Sequence, residues 1–236
     1  MHKTEDLQHF QVVVGETDLD IGIKKERYDA DVKKKLELHI CNLRRVIEEY
    51  IKKYPEFLTS LSPYNPTKDA PILINEMCKV GQLAGVGPMA CVAGLISEKT
   101  GQFLERYSKD VIVENGGDIW LKSSRKRTVS IFAGKSAFSN RVGIEIRPEK
   151  TSLGICTSSG TVGHSFSFGK ADAVVILSHS AVLADAVATA SCNIVHDVSD
   201  LEKSVDFALG IQGIIGAISI MGDKMAVRGE VKLISL

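Results

Sequence analysis

The sequence has few of the features that mark specialised classes of protein. It contains one tryptophan and five cysteines in 236 residues, and the cysteines, at positions 41, 78, 91, 156 and 192, form no Cys-x-x-Cys pair. An odd, scattered set indicates reduced thiols rather than a zinc site or a disulfide framework. No apolar run reaches the roughly 18 residues of a membrane-spanning helix, and the first six residues lack the apolar core of a signal peptide. We therefore predict a cytoplasmic protein with no membrane segment.

An excess of charge is also lacking. Lys and Arg total 29 and Asp and Glu total 29, and the basic runs at 33–35 and 125–127 are short. This balance disfavours nucleic acid as a partner. The chain has no Walker A motif, no dinucleotide-binding fingerprint and no Gly-x-Ser-x-Gly elbow, which argues against the enzyme classes built on those motifs.

What is present is an ordinary globular composition with 44% hydrophobic residues, and the length fits one domain spanning residues 1–236. Alternating or apolar runs predict strands at 10–14, 19–23, 110–122, 129–133, 142–146, 153–157 and 171–177. Helical periodicity predicts helices over 29–53, 72–80, 88–107, 181–193 and 201–210. The C-terminal segment predicts a hairpin with a turn at 222–224. These elements predict an α+β fold, with mixed or antiparallel sheets covered by helices.

The predicted helix over 181–193 contains a single formal charge, Asp185, among small and apolar residues. A buried carboxylate must be neutral, paired or bound to a metal. Thr189 lies one helical turn away on the same face. The two side chains therefore predict part of a Mg²⁺ or Ca²⁺ site. The alternative is that Asp185 anchors a backbone loop by hydrogen bonds, and the small residues on the other face leave open a homodimer packed through this helix.

Glycine-rich segments supply candidates for ligand binding. Gly85 and Gly87 lead into a buried helix, whose first N–H groups would form an anion site unless the glycines serve only close packing. Two glycines between Asn115 and Asp118 predict a bulge or a close backbone approach to a ligand, with an ordinary turn as the alternative. A polar loop follows the strand at 153–157 and contains His164. The binding candidates are Gly85, Gly87, Asn115, Gly116, Gly117, Thr157, Ser158, Ser159 and Gly160.

A thiol nucleophile is a weaker alternative. Cys156 with His164 as its base would fit that chemistry. Alternation in the strand instead favours an inert, buried Cys156 thiol.

The order of these motifs resembles the ApbE superfamily of flavin-transfer proteins, which use FAD and Mg²⁺. The resemblance runs from Gly81 to Asn193 and is carried by the segments Gly116-Gly117-Asp118-Ile119 and Ala184-Asp185-Ala186-Val187-Ala188-Thr189. It is greater still to a shorter, uncharacterised ApbE-like family.

The resemblance implies an ApbE-like fold, a flavin nucleotide (FAD or FMN) as ligand, and Asp185 and Thr189 as Mg²⁺ ligands. It also implies catalytic roles for His164 and Asp118. The chain departs from the flavin transferases at three places: it has no Met-Gly-Thr segment, no Asp-Pro after His164, and Pro88-Met89 where a lysine usually follows the glycine-rich helix entry. A Mg²⁺-dependent transferase or phosphohydrolase and a non-catalytic binding module therefore both remain open.

Overall fold

An eight-stranded sheet forms the middle layer of the molecule in the computed structural model, which describes residues 5–162 and 168–236. Its strand order is β1-β2-β3-β4-β7-β8-β9-β10, and every neighbouring pair is antiparallel. The strands are β1 (Leu7–Val14), β2 (Thr17–Lys24), β3 (Val111–Asn115), β4 (Asp118–Lys122), β7 (Leu153–Ser158), β8 (Ala173–Ser178), β9 (Ile214–Met221) and β10 (Lys224–Gly229).

A smaller sheet covers one face of this layer. Its order is β11-β6-β5, with strands Leu233–Ser235, Val142–Ile146 and Arg127–Ser130, again antiparallel. A hydrophobic core fills the space between the sheets and includes Ile119, Ile144, Ile155 and Val175.

Helices cover the opposite face. They are α1 to α6, spanning Ala30–Lys53, Glu56–Thr59, Ile72–Ala84, Val92–Leu104, Ala181–Ile194 and Leu201–Gly210. Strand alternation divides neighbouring residues between the two cores. In β7, for example, Cys156 joins the core under the helices and Ile155 joins the core between the sheets.

The sequence pattern accounts for the long helix α1. Asp29 accepts a hydrogen bond from the Asp31 N–H at 2.9 Å and caps the helix start. The buried residues recur at helical spacing and form one stripe facing the neighbouring helices, α4 above all, and β1: Val32, Leu36, Ile40, Leu43, Ile47 and Tyr50.

In the described residues, no single helix is long and apolar enough to cross a membrane. The segments Ile72–Ala84 and Pro88–Leu104 are long and apolar enough only when they are counted together, and the chain bends by 101° between them.

The α+β prediction is confirmed, and two local predictions are corrected. The helix predicted over 88–107 is a 3-10 turn, Pro88–Cys91, followed by α4. The segment 115–118 is a two-residue hairpin turn between β3 and β4 rather than a bulge. Gly116 and Gly117 adopt φ values of 62° and 107° there, a left-handed conformation that glycine tolerates best.

Candidate functional site

The β3–β4 hairpin turn, the start of α4 and the middle of α5 meet at one end of the helix-covered face. Two cavities adjoin at this point, of about 320 Å³ and about 820 Å³. Both are lined by Val92, Ala93 and Asp118. Asp118 therefore borders both cavities, which we describe together as the composite cavity.

The smaller part of the composite cavity contains the predicted metal ligands. Asp185 and Thr189 of α5 line it together with Asp118 and the backbone of Gly87. The structure thus brings the two carboxylates into one site. Asn193 lies one turn beyond Thr189 and also lines this cavity.

Asn193 is not among the residues predicted from the sequence, although its spacing from Thr189 was a signal for it. Asp185, Thr189 and Asn193 are spaced by four, so they form a polar stripe on an otherwise apolar helix. The side-chain Oδ1 of Asn193 accepts the Phe168 N–H at 2.8 Å, which ties the end of the polar loop to α5.

The larger part of the composite cavity extends between the two sheets. The predicted residues that line it are Asn115, Gly116, Gly117, Asp118, Thr157 and Ser159. Its apolar lining comes partly from Val129 and Ile144 of the smaller sheet and partly from Ile131 and the 56% exposed Phe132, which follow β5. This part therefore combines a polar end near Asp118 with an apolar wall.

Hydrogen bonds fix the hairpin turn against its neighbours. The Asn115 side chain donates to the Ala93 carbonyl at 3.2 Å. The Thr157 N–H donates to Asp118 Oδ1 at 3.3 Å. Asp118 is only 7% exposed, so its carboxyl group has a defined position beside both cavities.

Three predicted binding residues have positions that serve packing. Gly85 is the left-handed C-cap of α3, with φ of 75°. The Oγ of Ser158 is buried, without a hydrogen-bond partner among the described residues. A side chain on Gly160 would place its Cβ 1.9 Å from the Gly169 carbonyl oxygen. None of the three lines either cavity.

His164, the other predicted catalytic residue, lies outside the described residues. Cys156 is fully buried, and burial raises the pKa of its thiol well above the usual range. Its Sγ donates to the Ala181 carbonyl at 3.3 Å. These features support the prediction of an inert thiol.

Helices α4 and α5 cap one another. Glu98 of α4 is 6% exposed, and its Oε2 accepts the Ala181 and Val182 N–H groups at the start of α5, at 2.6 and 3.3 Å. In return, Asp185 Oδ2 accepts the Gly94 N–H at the start of α4, at 2.8 Å. Carboxylates at helix N-termini satisfy unpaired N–H groups and complement the helix dipole.

One N–H group in the first turn of α4 already has an acceptor within the chain. The Gly94 N–H is directed at Asp185. Gly94 is needed for this approach, since a Cβ there would lie 2.3 Å from the Ala181 carbonyl oxygen. The anchoring alternative for Asp185 is therefore present in the structure, whatever else that side chain binds.

The small face of α5 is covered within the chain. Ala181, Ala184 and Ala188 are all 0% exposed. A homodimer packed through this face, one of the alternatives raised by the sequence, is therefore wrong for this helix.

Burial dominates the electrostatics of the two carboxyl groups. It raises the pKa of Asp118 to about 7, against the hydrogen bond from the Thr157 N–H, which lowers it. Burial also raises the pKa of Asp185 well above its usual range, and the nearby Asp118 charge adds to that effect. Two such groups in one site resist simultaneous ionisation unless a cation neutralises them.

The oxygen donors of this site suit a magnesium ion that takes part of its coordination shell from the protein and the rest from a bound phosphate group and water. Among residues 5–162 and 168–236, no group of three or more His, Cys, Asp and Glu side chains forms a metal cluster. Mg²⁺ commonly uses one or two carboxylates and completes its shell with phosphate oxygens and water. Asp118, Asp185 and the Thr189 hydroxyl match that pattern of hard donors.

Comparison with known proteins identifies the family. The family model described as AbpE bacteria matches residues 1–209. The UPF0280 protein of Methanococcus aeolicus is 39% identical over 228 residues, covering 94% of this chain and 90% of the relative.

Solved structures show the same fold. The flavin transferase ApbE of Vibrio cholerae aligns with a TM-score of 0.56 at 14% identity, covering 97% of this chain and 96% of that one. The ApbE protein of Thermotoga maritima aligns with a TM-score of 0.60 at 12% identity, covering 95% and 97%. Identities this low establish the fold alone. The family model and the archaeal relative together show that the chain belongs to the ApbE-like family described as AbpE bacteria.

Proposed function

We propose that the composite cavity binds a phosphate-containing ligand, of the flavin nucleotide type, together with Mg²⁺. The observation that carries this proposal is the pair of buried carboxyl groups, Asp118 and Asp185, lining one cavity with raised pKa values. A divalent cation relieves their repulsion and offers its remaining positions to phosphate oxygens. The described residues therefore suit a shared protein–ligand metal site.

The two parts of the composite cavity suit the two ends of such a ligand. The apolar wall with Ile131 and Phe132 offers a surface for a ring system. The polar end offers the Gly116-Gly117 turn, where the absence of side chains allows close approach of a ligand. The part with Asp185 and Thr189 would then hold the cation and the phosphates.

A Mg²⁺-dependent transferase or phosphohydrolase acting on a flavin nucleotide is the enzymatic form of this proposal. The cation would supply charge neutralisation of a pyrophosphate group. Asp118 would be a second carboxylate beside the ligand. Its pKa of about 7 without the cation means that it would release a proton near neutral pH when the cation binds, because a bound cation favours the ionised form of its ligands. His164 keeps its predicted role as an acid, base or phosphate contact.

A non-catalytic binding module is the second candidate. It is favoured by the departures from the flavin transferases, which include the lack of a Met-Gly-Thr segment and of an Asp-Pro pair after His164. In both forms we propose a small-molecule ligand in a cytoplasmic protein, with no nucleic-acid partner.

Thermal unfolding of the full chain with FAD, FMN or ADP, with and without Mg²⁺, tests the binding. A ligand at 100 times its Kd stabilises by about 2.7 kcal/mol, which corresponds to about 5–10 °C in Tm for a chain of this size. We expect a shift of that order with FAD and Mg²⁺ together, and a smaller shift with either alone. Failure of all three nucleotides to raise Tm at millimolar concentration would exclude nucleotide binding.

Two matched variants distinguish Mg²⁺ binding by Asp185 from a general effect of removing a carboxylate on the shift in Tm. Asp185→Asn should remove the Mg²⁺-dependent part of the shift. Asp206→Asn on α6, whose side chain is 61% exposed, should leave it unchanged. An equal Mg²⁺-dependent shift in Asp185→Asn would show that Asp185 is not a ligand. Formation of AMP and FMN products from FAD would distinguish the enzyme from the binding module.

A further inference from the structure

A separate cavity of about 310 Å³ opens at another part of the interface between the two sheets. Protein interiors contain few voids larger than a water molecule, and small-molecule sites start at about 300 Å³. The floor of this cavity is apolar and consists of Ile144, Ile146, Leu153, Leu177, Ile215 and Val231. Four of these side chains, those of residues 144, 146, 153 and 177, are at most 3% exposed. The floor is therefore part of the core and is rigidly placed.

Charged side chains form the rim of this cavity. Three cations, Arg147, Lys150 and Lys232, face two carboxylates, Glu145 and Glu230. Two of the cations are engaged at short range, Lys150 with Glu230 at 2.6 Å and Lys232 with Glu145 at 2.7 Å. The lining is thus left with one excess positive charge.

That excess lies at Arg147. Within the described part of the chain, its guanidinium makes one ionic contact, from Nε to Glu145 Oε1 at 3.6 Å. Glu145 is already held by Lys232 and by Lys126 at 3.2 Å. The side chain of Arg147 is 57% exposed, so its terminal nitrogens can reach a ligand at the mouth of the cavity. Guanidinium groups bind carboxylates in a paired geometry.

We propose that this cavity binds an amphipathic monoanion, with a compact hydrocarbon or aromatic body on the apolar floor and one carboxylate on Arg147. Cations and neutral polar molecules of the same size lack the complementary charge. The site is distinct from the composite cavity, because Ile144 is the one lining residue that the two have in common. The proposal does not depend on nucleotide binding.

Calorimetric titration of the full chain with octanoate tests the proposal. We expect one site with a Kd below 1 mM, at least tenfold weaker binding of octanol, and no binding of octyltrimethylammonium. Arg147→Glu should weaken octanoate binding at least tenfold. The control Lys52→Glu reverses a charge on α1, on the other side of the main sheet, and should bind as the unmodified chain does.

A second variant tests the floor. Val231→Trp should fill the cavity and abolish octanoate binding, and circular dichroism checks its folding. Asp118→Asn should leave octanoate binding intact, which keeps this result separate from the nucleotide experiments. The proposal is overturned if octanoate does not bind at 5 mM, if Arg147→Glu binds it equally well, or if ADP with Mg²⁺ displaces it.

Discussion

Single carboxylates in this protein behave in opposite ways according to what surrounds them. Asp118 and Asp185 are buried with few donors, and their pKa values are raised. Asp110 is as deeply buried, yet it is surrounded by donors. Ser123 Oγ donates to it at 2.9 Å and the Ser124 N–H at 2.6 Å. Burial alone therefore does not decide the direction in which the pKa of a carboxyl group shifts, because the hydrogen-bond donors around the group can outweigh burial.

Asp110 gives a prediction about pH and stability. Burial opposes its ionisation, but hydrogen bonds from Ser124, Ser123 and Lys24 outweigh burial and lower the pKa to about 2. A carboxyl with a lowered folded-state pKa stabilises the fold above its unfolded pKa, and this contribution is lost as pH falls toward the folded pKa. Asp110→Asn should therefore cost about 2–4 kcal/mol at pH 7.

The difference between Asp110→Asn and the unmodified chain should narrow progressively between pH 5 and pH 2. Urea unfolding at several pH values measures it. Asp223→Asn, at a 77% exposed side chain, is the matched control and should change stability little at any pH. A difference that stays constant down to pH 2.5 would contradict the assigned role of Asp110.

At the scale of elements, the site rests on the mutual capping of α4 and α5. The capping residues are a buried glutamate and a buried aspartate, each satisfying the other helix. This arrangement fixes the position of α5, and hence of the polar stripe formed by Asp185, Thr189 and Asn193. The cavity is therefore positioned by two contacts, one made by its own lining residue Asp185 and one made by Glu98, which lies outside the cavity.

Glu98 gives the corresponding prediction. Glu98→Ala leaves the buried Ala181 and Val182 N–H groups without an acceptor and should lower the free energy of unfolding by about 2–4 kcal/mol. Glu98→Gln keeps an acceptor oxygen and should lose less than half of that. Urea unfolding measures both, and Glu49→Ala on the exposed face of α1 should stay within about 0.5 kcal/mol. Equal losses in Glu98→Ala and Glu98→Gln would argue against capping by an acceptor oxygen.

The hairpin turn shows why one element was misread from the sequence. Glycine pairs are a signal for two-residue hairpins, but the flanking runs here are apolar on both sides, as in a strand interrupted by a bulge. They are apolar because β3 and β4 are central strands, covered by helices on one face and by the smaller sheet or its core on the other. Whether one face or both faces of a strand are covered depends on tertiary packing, so the sequence of the strand did not show that these apolar runs flank a hairpin turn.

At the scale of the whole molecule, the space between the two sheets contributes to both proposed binding sites. The larger part of the composite cavity and the cavity at Arg147 both lie there, and Ile144 of the smaller sheet lines both. The smaller sheet thus contributes ligand-sized space as well as a second core.

Net charge gives a prediction for the whole molecule. With 29 basic and 29 acidic residues the formal net charge at pH 7 is zero. Molecules without net charge repel one another least. We expect the lowest solubility close to pH 7, with a clear rise by pH 5.5 and by pH 9, measured as the polyethylene glycol concentration that precipitates half of the protein. A solubility minimum outside pH 6–8 would show that the net charge of the folded protein differs from the value that its composition predicts.

The sequence by itself determined those features that depend on local pattern. Residue spacing within one segment predicts the α1 helix and the buried character of α5. The β1–β2 hairpin follows from two short strands on either side of one turn. The motifs that indicated an ApbE-like fold are likewise short and contiguous. Charge balance follows from composition alone.

Only the tertiary structure decided which buried faces meet. Pairing of β4 with β7 brings the Thr157 N–H to Asp118, and packing of α5 under that sheet brings Asp185 to the same cavity. Pairing of β11 with β6 joins segments distant in sequence and completes the smaller sheet. A local pattern specifies that a face is buried but not its partner, because many buried faces are equally apolar and long-range packing selects among them.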